Sequence, residues 1–364
     1  MSEAVDFVVK RNDLRQSEVV PGQHSPATAL QPGQVLLRIE RFAFTANNVT
    51  YGAIGDMIGY WNFFPARDGW GRLPVWGFGA VVQSRHDGLP VGERVFGYFP
   101  MSTYLIVQAD HVTPAGFLDA AAHRAALPPI YNQYTRLAAD PAYQRARDPQ
   151  LALFRPLFTT AFLLDDFLAE QRFFGATLVV LSSASSKTAL GLAECLRARC
   201  ADGIQVVGLT SAGNAGFVRG TGYYDRVVTY DEIGTLPRDT TAVLVDFAGN
   251  PKVLQAVHGH FDARLAYSCQ VGLTHWDRFA PGVALPGPTP ILFFAPDQAG
   301  KRVAEWGAAE FQRRVGAAMA RFIGTTNAWL HVVEGRGAEA VNAVYRAMLD
   351  GTATPADGHI LSLS

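Results

Sequence analysis

From Gln34 the chain alternates: Val35, Leu37 and Ile39 fall on one face, Leu36, Arg38 and Glu40 on the other, and Phe42 and Phe44 follow. A period of two predicts a half-buried strand. Through about Pro114, short runs at 80–82, 94–96 and 104–107 are separated by Gly, Pro and Asp turn signals, and no helical period lasts ten residues. The pattern predicts an antiparallel, barrel-like β domain. The segment 115–175 is alanine-rich, is broken at Pro128 and Pro129, and spaces Phe162, Leu163, Phe167 and Leu168 as on a helix, so linking helices are expected there. From Ala176 the text becomes strand, helix, strand: an apolar run at 177–181, helical spacing at Ala189, Leu192, Ala193 and Leu196, then a second apolar run at 205–209. Further strands are expected at 226–229, 242–245, 265–268 and 291–294, with crossover lengths between them that predict a doubly wound parallel sheet. A short helix through Ala340, Val341, Val344, Tyr345 and Met348 and a strand at 359–361 complete the pattern.

Composition narrows the function classes. A chain of 364 residues exceeds what one hydrophobic core usually fills, so two domains are expected. Hydrophobic residues at 49% against 17% charged argue against disorder, and no run reaches the length of a bilayer span. Thirty-one Lys and Arg against 32 Asp and Glu leave a net charge of -1, which supplies no basic field for nucleic acid or acidic lipid. The first residues, MSEAVDFVVKRND, lack the apolar stretch of a secretory leader, and three cysteines (Cys195, Cys200, Cys269) form no disulfide framework. A cytoplasmic protein with neither nucleic-acid nor membrane partner is expected.

Three stretches carry a resemblance: Pro32 through Ile39 (PGQVLLRI), Val91 through Gly97 (VGERVFG) and Val245 through Gly249 (VDFAG). Their order and spacing are similar to those of the medium-chain dehydrogenase/reductase superfamily, in particular its zinc-free, quinone-reductase-like branch. Within it the chain resembles a divergent group known only as a domain of unknown function. The resemblance implies a fold of class α/β plus β. A GroES-like antiparallel β-barrel domain would take 1–154 and 322–364, with a helical insertion at about 115–154. A Rossmann-like doubly wound domain would take 155–321.

The turn after the first Rossmann strand, Ser182-Ser183-Ala184-Ser185-Ser186-Lys187, is the first candidate site. A helix N-terminus offers amide donors and a partial positive charge to a pyrophosphate, and small residues let the backbone approach it. The glycines of G-x-G-x-x-G are replaced here by Ser and Ala, and a capped helix start is the alternative, since Ser favours the N-cap. At the end of the second strand stand Thr210, Ser211 and Asn214, with Arg219 a few residues on. Without a carboxylate to hold a ribose 2′-hydroxyl, this end tolerates a 2′-phosphate, so NADP is preferred over NAD. The resemblance further implies Tyr230 on the adenosine side, Thr160, Gln270 and Gly272 beside the nicotinamide, Phe247 at the D-x-x-G strand end, and a helix start at 159–161.

Catalytic zinc needs Cys and His ligands from the β domain, but no cysteine precedes Cys195, and Trp76-Gly77-Phe78-Gly79 stands where the superfamily's zinc branch has G-H-E. His258 and His260 read as surface histidines on a strand, and no metal is expected. Without zinc, a hydroxyl or amide must manage the developing oxyanion. Asn48 and Tyr51 are the candidates, with Tyr131 as an alternative donor and a structural turn as the other reading of the Asn pair. The aromatic stretches 58–65 and 129–134, with Tyr60, Trp61, Phe63 and Tyr134, suit the walls of a pocket for a flat apolar small-molecule substrate, or equally core packing or a dimer contact. The resulting expectation is a zinc-independent NADP(H)-dependent oxidoreductase acting on a carbonyl or activated C=C compound in a cleft between its domains. A catalytically silent nucleotide-binding protein and a lyase or isomerase remain open beside it. The apolar run 291–294 is a candidate edge for a homodimer.

Overall fold

A computed structural model of the chain describes residues 3–57, 59–139, 143–199, 203–272 and 285–364. It divides into two compact units, one of 1–153 with 332–364 and the other of 154–331.

The first unit opens with β1 (Val5–Lys10) and β2 (Asp13–Pro21), an antiparallel pair. There follow β3 (Gln34–Phe44), helix α1 (Ala46–Ala53), β4 (Trp70–Gly71), β5 (Pro74–Ser84), β6 (Arg94–Pro100), β7 (Tyr104–Asp110), β8 (Gly116–Asp119) and β9 (Gln133–Arg136). Strands run in the order β3-β5-β6-β9-β8-β7, and β7 pairs back onto β3, so the antiparallel sheet closes into a six-stranded barrel. Closure removes the edges that would otherwise invite pairing with another chain. The stretch 115–154 is therefore not a helical insertion: β8 and β9 lie within it and supply two of the six barrel strands. Their four-residue length left no periodicity for a pattern of turns and alanines to reveal.

The second unit is a Rossmann-like layer. Helix α2 (Asp148–Glu170) carries the chain past residue 153, and β10 (Leu178–Leu181), α3 (Lys187–Arg199), β11 (Gln205–Thr210), α4 (Ala212–Thr221), β12 (Arg226–Thr229), β13 (Ala242–Asp246), α5 (Pro251–Phe261), β14 (Leu265–Gln270), β15 (Ile291–Leu292), α6 (Ala295–Trp306) and α7 (Ala308–Thr326) follow. The parallel sheet has the order β12-β11-β10-β13-β14-β15, the doubly wound arrangement in which strand order reverses between β10 and β13. Strands buried on both faces explain the unbroken apolar runs: every residue of β10 and β13 is buried. The expected strand at 291–294 is only two residues long, because Phe293 turns inward to pack on Phe167 and Phe294 caps α6. The first unit is completed by β16 (His331–Arg336), α8 (Gly337–Leu349) and β17 (Asp357–Ser362), with β17 pairing antiparallel to β3.

Two local expectations fail for identifiable reasons. Thr159 and Thr160 do not start a helix; they sit inside α2, where their hydroxyls donate to the carbonyls of Arg155 and Pro156 at 2.6 and 3.3 Å. His258 and His260 lie on α5, not on a strand, and both are buried. His258 spans from the Pro286 carbonyl (Nδ1, 2.8 Å) to the Ser268 hydroxyl (Nε2, 2.9 Å), and burial holds its pKa below the ordinary value. His260 Nε2 reaches the Leu236 carbonyl at 3.0 Å.

Candidate functional site

The carboxyl ends of β10 and β13 meet where the strand order reverses, the place at which doubly wound sheets open a crevice for ligands. A buried polar knot ties them together. The Ser182 hydroxyl donates to the Asp246 carboxylate and accepts the Phe247 amide at 3.0 Å. The same carboxylate receives the amides of Ala248 (3.3 Å) and Gly249 (2.8 Å), and Gly249 takes the left-handed conformation, φ 64. These bonds give the Asp-x-x-Gly strand end its physical meaning: the aspartate caps the turn that the glycine makes possible. Burial raises the Asp246 pKa above the usual carboxyl range, against the pull of its three donors.

Beyond Ser182 the chain turns sharply through Ser183, which adopts a left-handed φ of 47, uncommon for a residue with a side chain. Neighbouring strand ends hold the bend. The Ala184 amide donates to the Leu209 carbonyl at 2.9 Å, and the Tyr224 hydroxyl donates to the Ala184 carbonyl at 2.8 Å. Tyr230, its hydroxyl pushed up to about 12 by burial, lies with its oxygen against the Ser183 amide. The Asn214 amide reaches the Ser185 hydroxyl at 3.2 Å. Ser186 is the N-cap of α3: its hydroxyl accepts the Ala189 amide (3.3 Å) and its carbonyl the Leu190 amide (2.9 Å). The close approach that loop glycines usually permit has moved to the neighbouring strand. A Cβ on Gly208 would lie 2.9 Å from both the Ala184 Cβ and the Tyr224 ring. Gly272 plays a similar part, since a Cβ there would lie 2.5 Å from the Phe247 carbonyl oxygen.

The bend thus brings Ser182, Ser183, Ala184, Ser185, Ser186, Lys187, Asn214, Tyr230 and Phe247 together at the carboxyl end of the sheet. Ser183 and Ser185 through Thr188 remain partly exposed, while Ser182 and Ala184 are buried. Thr210 is buried at the end of β11 and Ser211 is the exposed N-cap of α4. Gln270 ends β14, and its carbonyl takes the Phe293 amide at 2.8 Å. Arg219 is separated from this group: it lies in the last turn of α4, ~10 Å along the axis from the helix start, and faces Glu232 electrostatically. Thr160, on α2, has its hydroxyl committed to the Pro156 carbonyl. Tyr224, which clamps the bend, was missed by sequence reasoning; its signal was the aromatic pair Tyr223-Tyr224 entering β12.

In the first unit, Tyr51, Tyr60, Phe63, Trp76, Tyr98 and Tyr131 form one aromatic cluster. Ring centroids lie 4.5 Å apart for Tyr51 and Tyr60, 4.8 Å for Tyr98 and Tyr131, and 4.9 Å for Trp76 and Tyr98. The hydroxyls of Tyr60 and Tyr131 hydrogen-bond at 2.9 Å. Burial is the main reason the phenols of Tyr51, Tyr98 and Tyr131 hold their protons above the ordinary tyrosine value. Among the described residues the Tyr98 hydroxyl is buried with no hydrogen-bond partner, while the Trp76 indole nitrogen faces the Tyr51 hydroxyl. Asn48 is not a turn residue but the third residue of α1. It accepts the Thr45 amide at 2.8 Å and donates to the Pro74 carbonyl at 2.9 Å, so its amide group is committed to capping the helix and anchoring β5. Trp61 is packed against Gly55 and Gly71, where a Cβ would strike its ring at 2.4 and 2.3 Å. The Tyr134 hydroxyl donates to the Tyr98 carbonyl at 2.7 Å within the barrel. These two aromatics have core partners rather than an open wall; Ile58 lies outside the described residues.

Among the described residues no group of three or more His, Cys, Asp or Glu side chains is placed to hold a metal ion. Cys195 and Cys269 are buried, with thiols pushed up by burial, and Cys200 lies outside the described residues. No helix among the described residues is long and apolar enough to cross a membrane.

A closed antiparallel barrel followed by a doubly wound sheet is the medium-chain dehydrogenase/reductase fold, and solved structures bear it out. The chain is similar to CurA from Vibrio vulnificus in complex with NADPH, with a TM-score of 0.62 and 14% identity over 99% of each chain. It is also similar to the YhdH oxidoreductase of Salmonella enterica in complex with NADP, with a TM-score of 0.54 and 14% identity over 99% of this chain and 100% of that one. A thermostable alcohol dehydrogenase from Pyrobaculum aerophilum matches with a TM-score of 0.55 and 13% identity over 99% of each chain. By its sequence, matched over residues 42–354, the chain belongs to the family described as "Protein of unknown function (DUF2855)". No curated protein matches it.

Proposed function

We propose that the protein is a zinc-independent oxidoreductase that binds NADP(H) at the 182–188 bend and moves hydride to or from a carbonyl or an activated C=C compound. The observation that carries this reading is the bend itself. It lies where the strand order reverses, it leads into the first turn of a thirteen-residue helix, and buried partners hold its backbone in shape from behind while Ser183 and Ser185 through Thr188 stay partly exposed. An α-helix supplies no acceptors for its own first-turn amides, so they suit a diphosphate, and Lys187 adds positive charge beside it. The residues fit this group without glycine because Gly208 gives the bend its room. The end of β11 carries no carboxylate that would repel a 2′-phosphate, which supports NADP over NAD. When bound, the cofactor would supply the hydride chemistry.

The chain's own contribution would be to seat the diphosphate on the bend and to hold a proton for the developing oxyanion. Tyr51 and Tyr131 suit that second role, because their raised pKa values keep both hydroxyls protonated through neutral pH. Asn48 does not, being committed to the cap of α1. The test is consumption of NADPH, followed at about 340 nm, across aldehydes, quinones and enones. Oxidation that falls at least tenfold in Lys187→Ala supports the reading; turnover of any of these compounds without net oxidation defeats it in favour of a lyase or isomerase.

A further inference from the structure

The first unit contains a recess of about 360 Å³ on the outside of its barrel, walled by β3, β16, β17 and the turn at 145–147. Four guanidinium groups line it, Arg38, Arg41, Arg145 and Arg336, against two side-chain carboxylates, Glu40 and Glu334. A carboxylate on Ser364, which also lines the recess, would still leave the cations in excess. The carboxylates are weakly matched to the cations beside them. Arg38 stands 3.8 Å from Glu40 and Arg41 3.6 Å from Glu334, whereas Glu40 is held at 2.7 Å by Arg94, which does not line the recess. Arg145 and Arg336 make no ion pair among the described residues.

The backbone is shaped to deliver this charge. Along a regular strand residues 38 and 41 would point to opposite faces, because side chains alternate. The pairing of β3 with β5 slips between Ile39 and Arg41, and this bulge lets Arg38, Glu40 and Arg41 all reach the recess. Arg336 is also the N-cap of α8, so the positive end of a thirteen-residue helix lies at the rim. Gly335 completes the fit: a Cβ there would come within 2.9 Å of Leu361 in the opposite wall.

We propose that this recess binds a small phosphomonoester. Planar guanidinium groups from three separate segments can each give paired hydrogen bonds to phosphate oxygens, and an anionic ester complements the excess of positive charge. Tyr104, half-buried in the wall, offers an aromatic face to the organic part of the ester. The volume suits a small molecule and not a peptide or a duplex. The site is independent of the nucleotide reading, since every lining residue belongs to the first unit.

The test is calorimetric titration of the whole chain with phenyl phosphate, with inorganic phosphate as competitor, on the wild type and on the double variant Arg145→Ala/Arg336→Ala. Both arginines are exposed, so the variant should fold. The proposal expects saturable one-to-one binding, competition by inorganic phosphate, and at least tenfold weakening in the variant, while NADPH titration of the same variant is unchanged. No saturation at millimolar phenyl phosphate, or equal binding by the variant, would overturn it. A second arm uses vesicles of phosphatidylcholine containing phosphatidic acid, whose headgroup is also a phosphomonoester. Arginine-dependent recruitment to these vesicles without binding of phenyl phosphate would likewise overturn the assignment to a small soluble ligand.

Discussion

The serine bend of the second unit and the tyrosine cluster of the first both set polar groups on buried partners, yet they are built on opposite terms. In the bend, the side chains of Ser182, Ser186, Asp246, Asn214 and Tyr224 each have a named hydrogen-bond partner in the bend or in the strand ends and helix start around it. In the cluster, Tyr60 and Tyr131 satisfy one another, but the Tyr98 hydroxyl is buried without a partner among the described residues. A paired network fixes a backbone in one shape, and an unpaired buried donor is an uncompensated desolvation cost. The bend therefore has the character of a rigid seat, and the cluster that of a polar interior with one hydroxyl in reserve.

The contrast can be broken most forcefully at Asp246. Its replacement by alanine strands the Ser182 hydroxyl and the amides of Ala248 and Gly249, and should lower stability by about 3 kcal/mol or more in urea unfolding. Asp246→Asn sharpens the same point through pH. Because burial raises the native pKa, the folded protein holds this proton more tightly than the unfolded chain. The carboxyl's contribution to stability is thus fully present below the unfolded value and is lost as pH rises through the native one. Wild type should show this decline and the asparagine variant should not.

Next in size is Gly208→Ala. The new methyl would collide with Ala184 and Tyr224, costing about 1–3 kcal/mol, and the double variant with Ala184→Gly should recover much of the loss. Additive losses would show that the two positions do not share the space as described. Smaller again is a pair of hydroxyl deletions. Tyr134→Phe removes a buried bond to the Tyr98 carbonyl and should cost about 1–2 kcal/mol, whereas Tyr98→Phe removes an unpartnered hydroxyl and should be neutral or stabilising by up to about 1 kcal/mol. Equal losses would erase the distinction between paired and unpaired phenols. The smallest effect on stability belongs to Lys187→Ala, within about 0.5 kcal/mol, since this side chain is only half-buried at the start of α3.

What was legible in the sequence follows the range of the interactions. The parallel strands could be read because burial on both faces makes continuous apolar runs, and the bend because it is local: strand, small residues, capped helix. Residues whose roles depend on distant partners could not be read. Gly208 matters only because Ala184 lies beside it, and Tyr224 only because its hydroxyl reaches back across two strands. Arg219 stands close to Ser211 in sequence, but nearly two turns of α4 separate it from the start of that helix. The strands β8 and β9 and the histidines of α5 were misread for the same reason, since each is settled by what packs against it. Trp61 and Tyr134 show the limit of reading a pocket from aromatic content, because glycines on one side and a carbonyl on the other commit them to the core.

The central claim, that a serine-lined bend relieved by Gly208 seats a dinucleotide's diphosphate, is tested most directly by calorimetric titration of the whole protein with NADPH and, in parallel, NADH. Saturable one-to-one binding of NADPH is expected, with weaker binding of NADH and about tenfold loss of NADPH affinity in Lys187→Ala, a difference of about 1.4 kcal/mol. Absence of saturable binding by either nucleotide at millimolar concentration, or NADPH affinity unchanged in Lys187→Ala, would contradict it.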